Sequence, residues 1–425
     1  MMPVNGFDLL SHCINGKLAS LTPNDPECCI FRVHSQLRNI NDKAYEPQLL
    51  AIGPYHRGKD GLRQMEEHKL RYLHLLLRRI NENSVEAYIS AMRELEGRAR
   101  RCYAEPISLT TDEFVEMMLL DGCFIIELFR KFRRRYLIGD PCDPIFQLDW
   151  MCPMLLCDVL LFENQLPFFV LTKLFEMTAV PNQQGNLIDL ALFFLEDSLP
   201  CERRSSESLQ NSGHLLALAH KSITPPYVRI NTHVNVIDVE EWNTIPSATE
   251  IKEAGVKFKK LEGVNLFDIK FNNGVMEIPP LQIDDGLESL FRNLIAYEQY
   301  SRNNNAKYFT EYMNFMDNLI NSPKDVELLR RRGIIENWLG DDEAVSTMFN
   351  KLGDGVTVSN LSYAQIFRDV NKYCCRPWNV RKAKLRHNYF NSPWASISFF
   401  AAVFVILLAL TQTTFSFLPY ITPQK

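Results

Sequence analysis

A chain of 425 residues, 46% hydrophobic and 23% charged, has ordinary globular composition and length for a large core, which excludes a disordered or collagen-like polymer. Its formal net charge of −5 divides into +7 from residue 370 onward and −12 before it. The acidic body lacks the basic footprint that nucleic acid demands, so nucleic acid is excluded as a partner. Eleven cysteines, odd in number and without a CxxC or Cys/His set of zinc spacing, fit a reducing compartment.

Residues 1–27 form a leader segment with no basic stretch, apolar core and cleavage site in series, so no signal peptide is expected. Membrane entry would then depend on the C-terminal end, a tail-anchored arrangement. From Cys28 to Gly58 short apolar bursts are punctuated by Pro47, Gly53, Pro54 and Gly58, which predicts extended segments and turns. His56 in that stretch is a candidate base or a turn residue. A long helix follows with Leu70, Leu73, Leu77 and Ile80 on one face, and Ser84 is placed to cap the next helix, which runs to about Cys102.

Thr110 and Glu113 stand at capping-box spacing before TTDEFVEMMLLDGCFIIELFRKF. Phe114, Met118, Asp121, Ile125, Leu128 and Phe132 share a stripe, and the opposite face is apolar too, so this helix belongs in mid-core. Asp158 interrupts another apolar helix, which Glu163–Asn164–Gln165 ends before Pro167 opens the next. A Ser-rich link lies between Glu196 and Gly213, and HLLALAHKSI reads as a short helix. Ser247 and Glu250 form a second capping box, with Gly255 as its stop. The period then changes to alternation through Phe267, Ile269 and Phe271, and Asn272–Asn273–Gly274 predicts a primed turn into Val275–Ile278, joined by the Val256–Lys259 strand. Pro279–Pro280 ends this small β element, placed near 256–282.

The remainder reads as helices: Leu287–Tyr297, Tyr308–Leu319, one from Ser322–Pro323 to Gly333, one from Asp341 to about Gly353, and a long one over Leu361–Tyr389 kinked at Pro377. The expected fold is mainly α: one multi-helix body over 28–386 with a small antiparallel sheet, then a juxtamembrane segment and a single anchor in 387–425. The anchor is PWASISFFAAVFVILLALTQTTFSFL, without Asp, Glu, Lys or Arg, and a transmembrane helix over about 394–418 is predicted. Arg381, Lys382, Lys384 and Arg386 crowd the side before it, which places the body in the cytosol, and Trp394 and Tyr420 suit the two interfaces. The lipid bilayer is thus one partner.

The series YEPQLLAIGPYHRG, MEEHKLRYL, CYAEPISLTTDEFVEMMLLDGCFIIEL, DVLLFENQLPFFVL, AGVKF, IPPLQI, RNLIAYEQ and YMNFMDNLI, followed by PWASIS and an apolar span, resembles plant domain-of-unknown-function family 247. The similarity runs from about Cys28 to the anchor. One departure is RVHS at Arg32–Ser35, where the family usually carries proline after the valine. The resemblance implies a plant membrane-anchored protein, in the plasma membrane or an endomembrane, with relatives linked to grass self-incompatibility, defence and growth. It implies no catalytic residue and no cofactor.

For chemistry, Asp121, Asp158 and Glu163 are the candidates, since paired carboxylates on core helices share a proton or hold a divalent metal. The competing reading makes each a buried acid satisfied by an arginine or by backbone N–H groups. No phosphate loop, dinucleotide fingerprint or serine elbow occurs. Two functions follow: a non-enzymatic, membrane-tethered recognition or signalling protein with a protein partner, and, as the alternative, an anchored hydrolase or metal enzyme using those three acids.

Overall fold

The structure is a computed structural model that describes residues 6–19, 27–135, 143–179, 185–196, 209–225, 244–263, 265–301, 307–358, 362–377 and 393–421. Contacts divide the chain into two compact units, Met1–Pro225 with Gly286–Asn305 and Pro226–Asp285 with Ala306–Lys425. The described chain is mainly helical with small sheets, as the periodicities predict.

The first unit is built around the helix Thr111–Arg135. Both halves of its capping box form: Thr110 N–H donates to the Glu113 carboxylate (2.8 Å), and Glu113 N–H donates to the Thr110 hydroxyl (3.3 Å). Phe114, Met118, Phe124, Ile125, Leu128 and Phe129 are fully buried. A helix apolar all round needs neighbours on every side, and four pack on it: Arg63–Arg79, Glu86–Arg101, Phe168–Met177 and Leu187–Leu195. The last of these, capped by Asn186, escaped the sequence reading.

The predicted face of Arg63–Arg79 is rotated. Leu70 is 56% exposed, and the buried stripe is Met65, Lys69, Tyr72, Leu73 and Leu76. A lysine therefore takes a core position, for a reason given below. Pro167 stands at the N-cap of Phe168–Met177, one residue before the first helical position. His34 has φ −66°, the value a proline would impose, and its N–H donates to Tyr300 Oη (3.0 Å), a bond that proline cannot make. The departure at RVHS thus keeps the backbone that proline favours and adds a contact.

In the second unit the Ser247–Glu250 capping box opens the helix Ala248–Glu253. Three strands follow: β1 (Lys257–Lys260), β2 (Lys270–Asn272) and β3 (Val275–Ile278). Asn273 (φ 49°) and Gly274 (φ 78°) make the primed turn of the β2–β3 hairpin. A Cβ at Gly274 would fall 2.5 Å from the Tyr373 ring, so glycine is required twice over. β1 adds to β3 in parallel, not antiparallel as expected, making a mixed sheet in the order β1-β3-β2. Pro279–Pro280 ends the hairpin strand β3 at Ile278 as expected, and beyond it β4 (Leu281–Ile283) pairs in parallel with β5 (Ile335–Asn337) as a second sheet.

Helices Tyr308–Leu319, Pro323–Arg331, Asp342–Leu352 and Ala364–Cys374 complete this unit's packed part. Where the pattern predicts a long helix over Leu361–Tyr389 kinked at Pro377, the helix Ala364–Cys374 ends with Cys375 as its C-cap, before that proline. Arg381, Lys382, Lys384 and Arg386 lie outside the described residues, as does most of the Ser-rich link. The chain's last described element is the helix Pro393–Ile421, of 29 residues. Trp394 and Tyr420 fall within it, with their side chains outside the description.

Candidate functional site

The stretch from Glu46 to His56, which follows a short 3-10 helix at Asp42–Tyr45, is not regular secondary structure, yet Leu50, Ala51, Ile52 and His56 are buried. Interior backbone N–H and C=O groups must find partners, and here no ladder supplies them. Side chains do. Asp158 accepts from the N–H groups of Gln48 (2.9 Å), Leu49 (2.8 Å) and Leu50 (2.8 Å). Asn164 accepts from Ile52 N–H (2.6 Å) and donates to the carbonyls of Leu50 (2.8 Å) and Asp158 (2.9 Å). Asp121 accepts from Gly53 N–H (2.9 Å), and Lys69 Nζ donates to the Ala51 carbonyl (2.7 Å). Asn293, from the helix Leu287–Tyr300, donates to the Ala44 carbonyl (2.8 Å) and accepts from Phe162 N–H (2.8 Å).

Gly53 is the point where the strap turns. Its φ is +71°, and a Cβ there would stand 2.5 Å from the Gln165 carbonyl oxygen. Only glycine lets the strap and the Glu163–Asn164–Gln165 turn approach this closely. Gln165 folds back onto its own helix end, donating to the carbonyls of Val159 (2.8 Å) and Leu161 (2.7 Å).

The three predicted acids are each spoken for. Asp121 Oδ1 stands 2.6 Å from Lys69 Nζ, an ion pair in which both side chains are 1% exposed. This pairing is why lysine occupies the core stripe, because a buried carboxylate without a cation is far costlier than a pair. Burial pushes the Asp121 carboxyl up, and Lys69 opposes it. Burial likewise pushes Asp158 up to about 6, against the pull of its three N–H donors. Glu163 accepts from Val33 N–H (2.7 Å) and takes the Arg38 guanidinium across both oxygens (3.2 and 2.8 Å).

His56 lies between two carboxylates, with Nδ1 3.4 Å from Glu46 and Nε2 3.6 Å from Glu163, and neither ring nitrogen has a hydrogen-bond partner. Burial, with Lys59 adding to it, lowers its pKa to about 4, so the imidazole is neutral at physiological pH and a poor base.

Catalytic carboxylates must converge on one cleft with free oxygens. Here Asp121 grips residue 53 of the strap and Asp158 residues 48–50, while Glu163 holds Val33 and Arg38 ahead of it. Among the described residues no group of three His, Cys, Asp or Glu is arranged to hold a metal ion. Sequence reasoning passed over Lys69, Asn164 and Asn293 as members of this network. Lys69 carried a signal, since it sits four residues from Met65 and three from Tyr72 on an otherwise apolar stripe; Asn293 carried none.

A family model described as plant protein of unknown function matches residues 30–408. Two proteins of Arabidopsis thaliana are similar along nearly the whole chain. UPF0481 protein At3g47200 is 32% identical over 423 residues, covering 94% of this chain and 88% of its own length. Putative UPF0481 protein At3g02645 is 22% identical over 477 residues, covering 90% and 89%. No solved structure matches the chain.

Proposed function

From the premise that the chain belongs to plant domain-of-unknown-function family 247, we propose that it is a membrane-anchored recognition protein that binds a protein partner and turns over no substrate. The helix Pro393–Ile421 crosses the bilayer once, and the basic residues before it hold the body on the cytosolic side.

The observation that carries the proposal is that helix. It contains no Asp, Glu, Lys or Arg, and Ile397, Phe400, Phe404, Val405, Leu407 and Leu410 are all exposed. Its 29 residues rise about 43 Å, more than the ~30 Å hydrocarbon core needs. Thr411, Thr413 and Thr414 donate their hydroxyls to carbonyls one turn back, at 2.7–3.0 Å, so these three hydroxyls do not meet lipid unpaired. The recognition half of the reading draws on the three acids: Asp121 and Asp158 are engaged in holding the strap and Glu163 in holding Val33 and Arg38, which leaves the hydrolase or metal-enzyme alternative without a free pair of carboxylates.

The test is fractionation of full-length protein from plant cells. The expected result is a membrane pellet that resists alkaline carbonate, with the body digested by protease added to the cytosolic face of sealed vesicles. Recovery in the soluble fraction, or a body protected from that protease, sinks the proposal.

A further inference from the structure

Cys29 and Cys102 meet where the segment ahead of the strap crosses the end of the helix Glu86–Arg101. Ile30 and Tyr103 form an isolated parallel bridge, in which Ile30 N–H donates to the Cys102 carbonyl (2.9 Å) and Ala104 N–H to the Ile30 carbonyl (3.0 Å). Cys29 N–H reaches the same Cys102 carbonyl (3.0 Å). Each cysteine stands one residue before its bridged neighbour, so the register that pairs Ile30 with Tyr103 also sets the two cysteines side by side. Both are free thiols, and the two side chains are hydrogen-bonded to each other.

The surroundings hold this meeting in place. Arg32, just past Cys29, pairs with Glu105, just past Cys102 (2.9 Å), and Val33 N–H donates to Glu163 (2.7 Å). Gly213 leaves room for the sulfur, since a Cβ there would stand 3.2 Å from Cys29 Sγ. Cys29 is half-buried and Cys102 is 3% exposed, so a reagent from solvent meets Cys29 first.

We propose that Cys29 and Cys102 form a reversible dithiol site, which a small disulfide of the glutathione class oxidises to a cystine joining residue 29 to residue 102. Cys29 gives its proton to solvent, and its thiolate attacks one sulfur of the reagent. An S–S bond forms to that half, and the other half leaves as a thiolate. Cys102, deprotonated in turn, attacks the Cys29 sulfur and displaces the second half. The protein gives up two electrons and two protons, and the reagent's disulfide takes them up as two thiols. A disulfide spans α-carbons about 4.4–6.8 Å apart, which suits two residues already joined by a backbone hydrogen bond and in contact through their side chains. The closed loop, residues 29–102, contains the whole strap, so the link restrains the unfolded chain and steadies the folded one. The hydrogen bond to Cys102, with burial adding to it, pushes the Cys29 thiol far up. Its thiolate is therefore scarce and exchange is slow, so the site answers a sustained shift in redox poise and not a brief pulse.

The experiment uses full-length protein in nanodiscs, equilibrated without oxygen at a series of ratios of reduced to oxidised glutathione. Free thiols are then alkylated, unreduced peptides are mapped by mass spectrometry, and thermal unfolding is followed on the same samples. The expected result is a Cys29–Cys102 peptide pair that grows with the oxidised share, disappears with dithiothreitol and raises Tm by several degrees. Cys28→Ser keeps both the pair and the shift, and Cys29→Ser abolishes both. The proposal is overturned if both thiols stay open to alkylation at the most oxidising ratio, or if Cys102 pairs with Cys28 or another cysteine. It is equally overturned if oxidation stops at glutathione on Cys29, if the two states share one Tm, or if Cys29→Ser still shows the shift.

Discussion

Asn164 offers the sharpest test of the strap. It is fully buried, and its three hydrogen bonds all go to backbone: Ile52 N–H, Leu50 C=O and Asp158 C=O. Asn164→Ala leaves the first two without partners, while the Asp158 carbonyl retains a long contact from Leu161 N–H at 3.4 Å. Each buried backbone group left unpaired costs about 1–3 kcal/mol, so the two together cost about 4 kcal/mol. That is a large share of the roughly 5–15 kcal/mol that holds a typical domain. Asn164→Asp keeps the shape but sets a carboxylate oxygen against two carbonyl oxygens, and it destabilises more than alanine. Urea unfolding of the full-length protein in nanodiscs measures the loss, and hydrogen exchange over residues 44–56 locates it. An alanine variant within about 1 kcal/mol of the parent, with protection over 44–56 unchanged, refutes the idea that side chains hold this strap.

Lys69→Met strands the Asp121 charge in the core and costs about 3–5 kcal/mol, whereas the double variant with Asp121→Asn recovers more than half of the loss; strictly additive thermal-unfolding values in the cycle refute the coupling. Asp317 carries a pH dependence, because burial, with Asp354 adding to it, lifts its carboxyl from 3.8 to about 6. A folded-state value above the unfolded one favours folding below about pH 4, and that contribution disappears as the pH rises through about 6. Asp317→Asn therefore stabilises the protein at pH 7 by about 1 kcal/mol, discounted for its half-exposed setting, and matches the parent near pH 4. A gap that stays constant from pH 4 to 8 in denaturant titrations contradicts this.

What the sequence disclosed and what it hid divide by distance along the chain. The capping boxes at Thr110–Glu113 and Ser247–Glu250, the helix start at Ser322–Pro323 and the Asn273–Gly274 turn are complete within four residues, and each stands where the pattern placed it. The parallel pairing of Leu281–Ile283 with Ile335–Asn337 joins segments separated by three helices, and nothing local marks either as the other's partner. The face of Arg63–Arg79 was misread for the same reason. Hydropathy ranks Leu70 above Lys69, but Asp121 on another helix decides which one is buried.

The candidate acids show the same division more sharply. Their residue type on apolar helices marked Asp121, Asp158 and Glu163 as expensive, and expense alone points equally to catalysis and to structure. The partners separate the two, and the partners are remote: Asp158 meets residues 48–50 and Glu163 meets residue 33. A strap held by directional bonds to single carboxylate and amide oxygens has one permitted register, because a slip of one residue would strand several buried donors at once. An apolar strap of equal stability would tolerate the slip. The buried polar groups therefore specify where the strap lies, and so where it emerges at Arg57–Lys59.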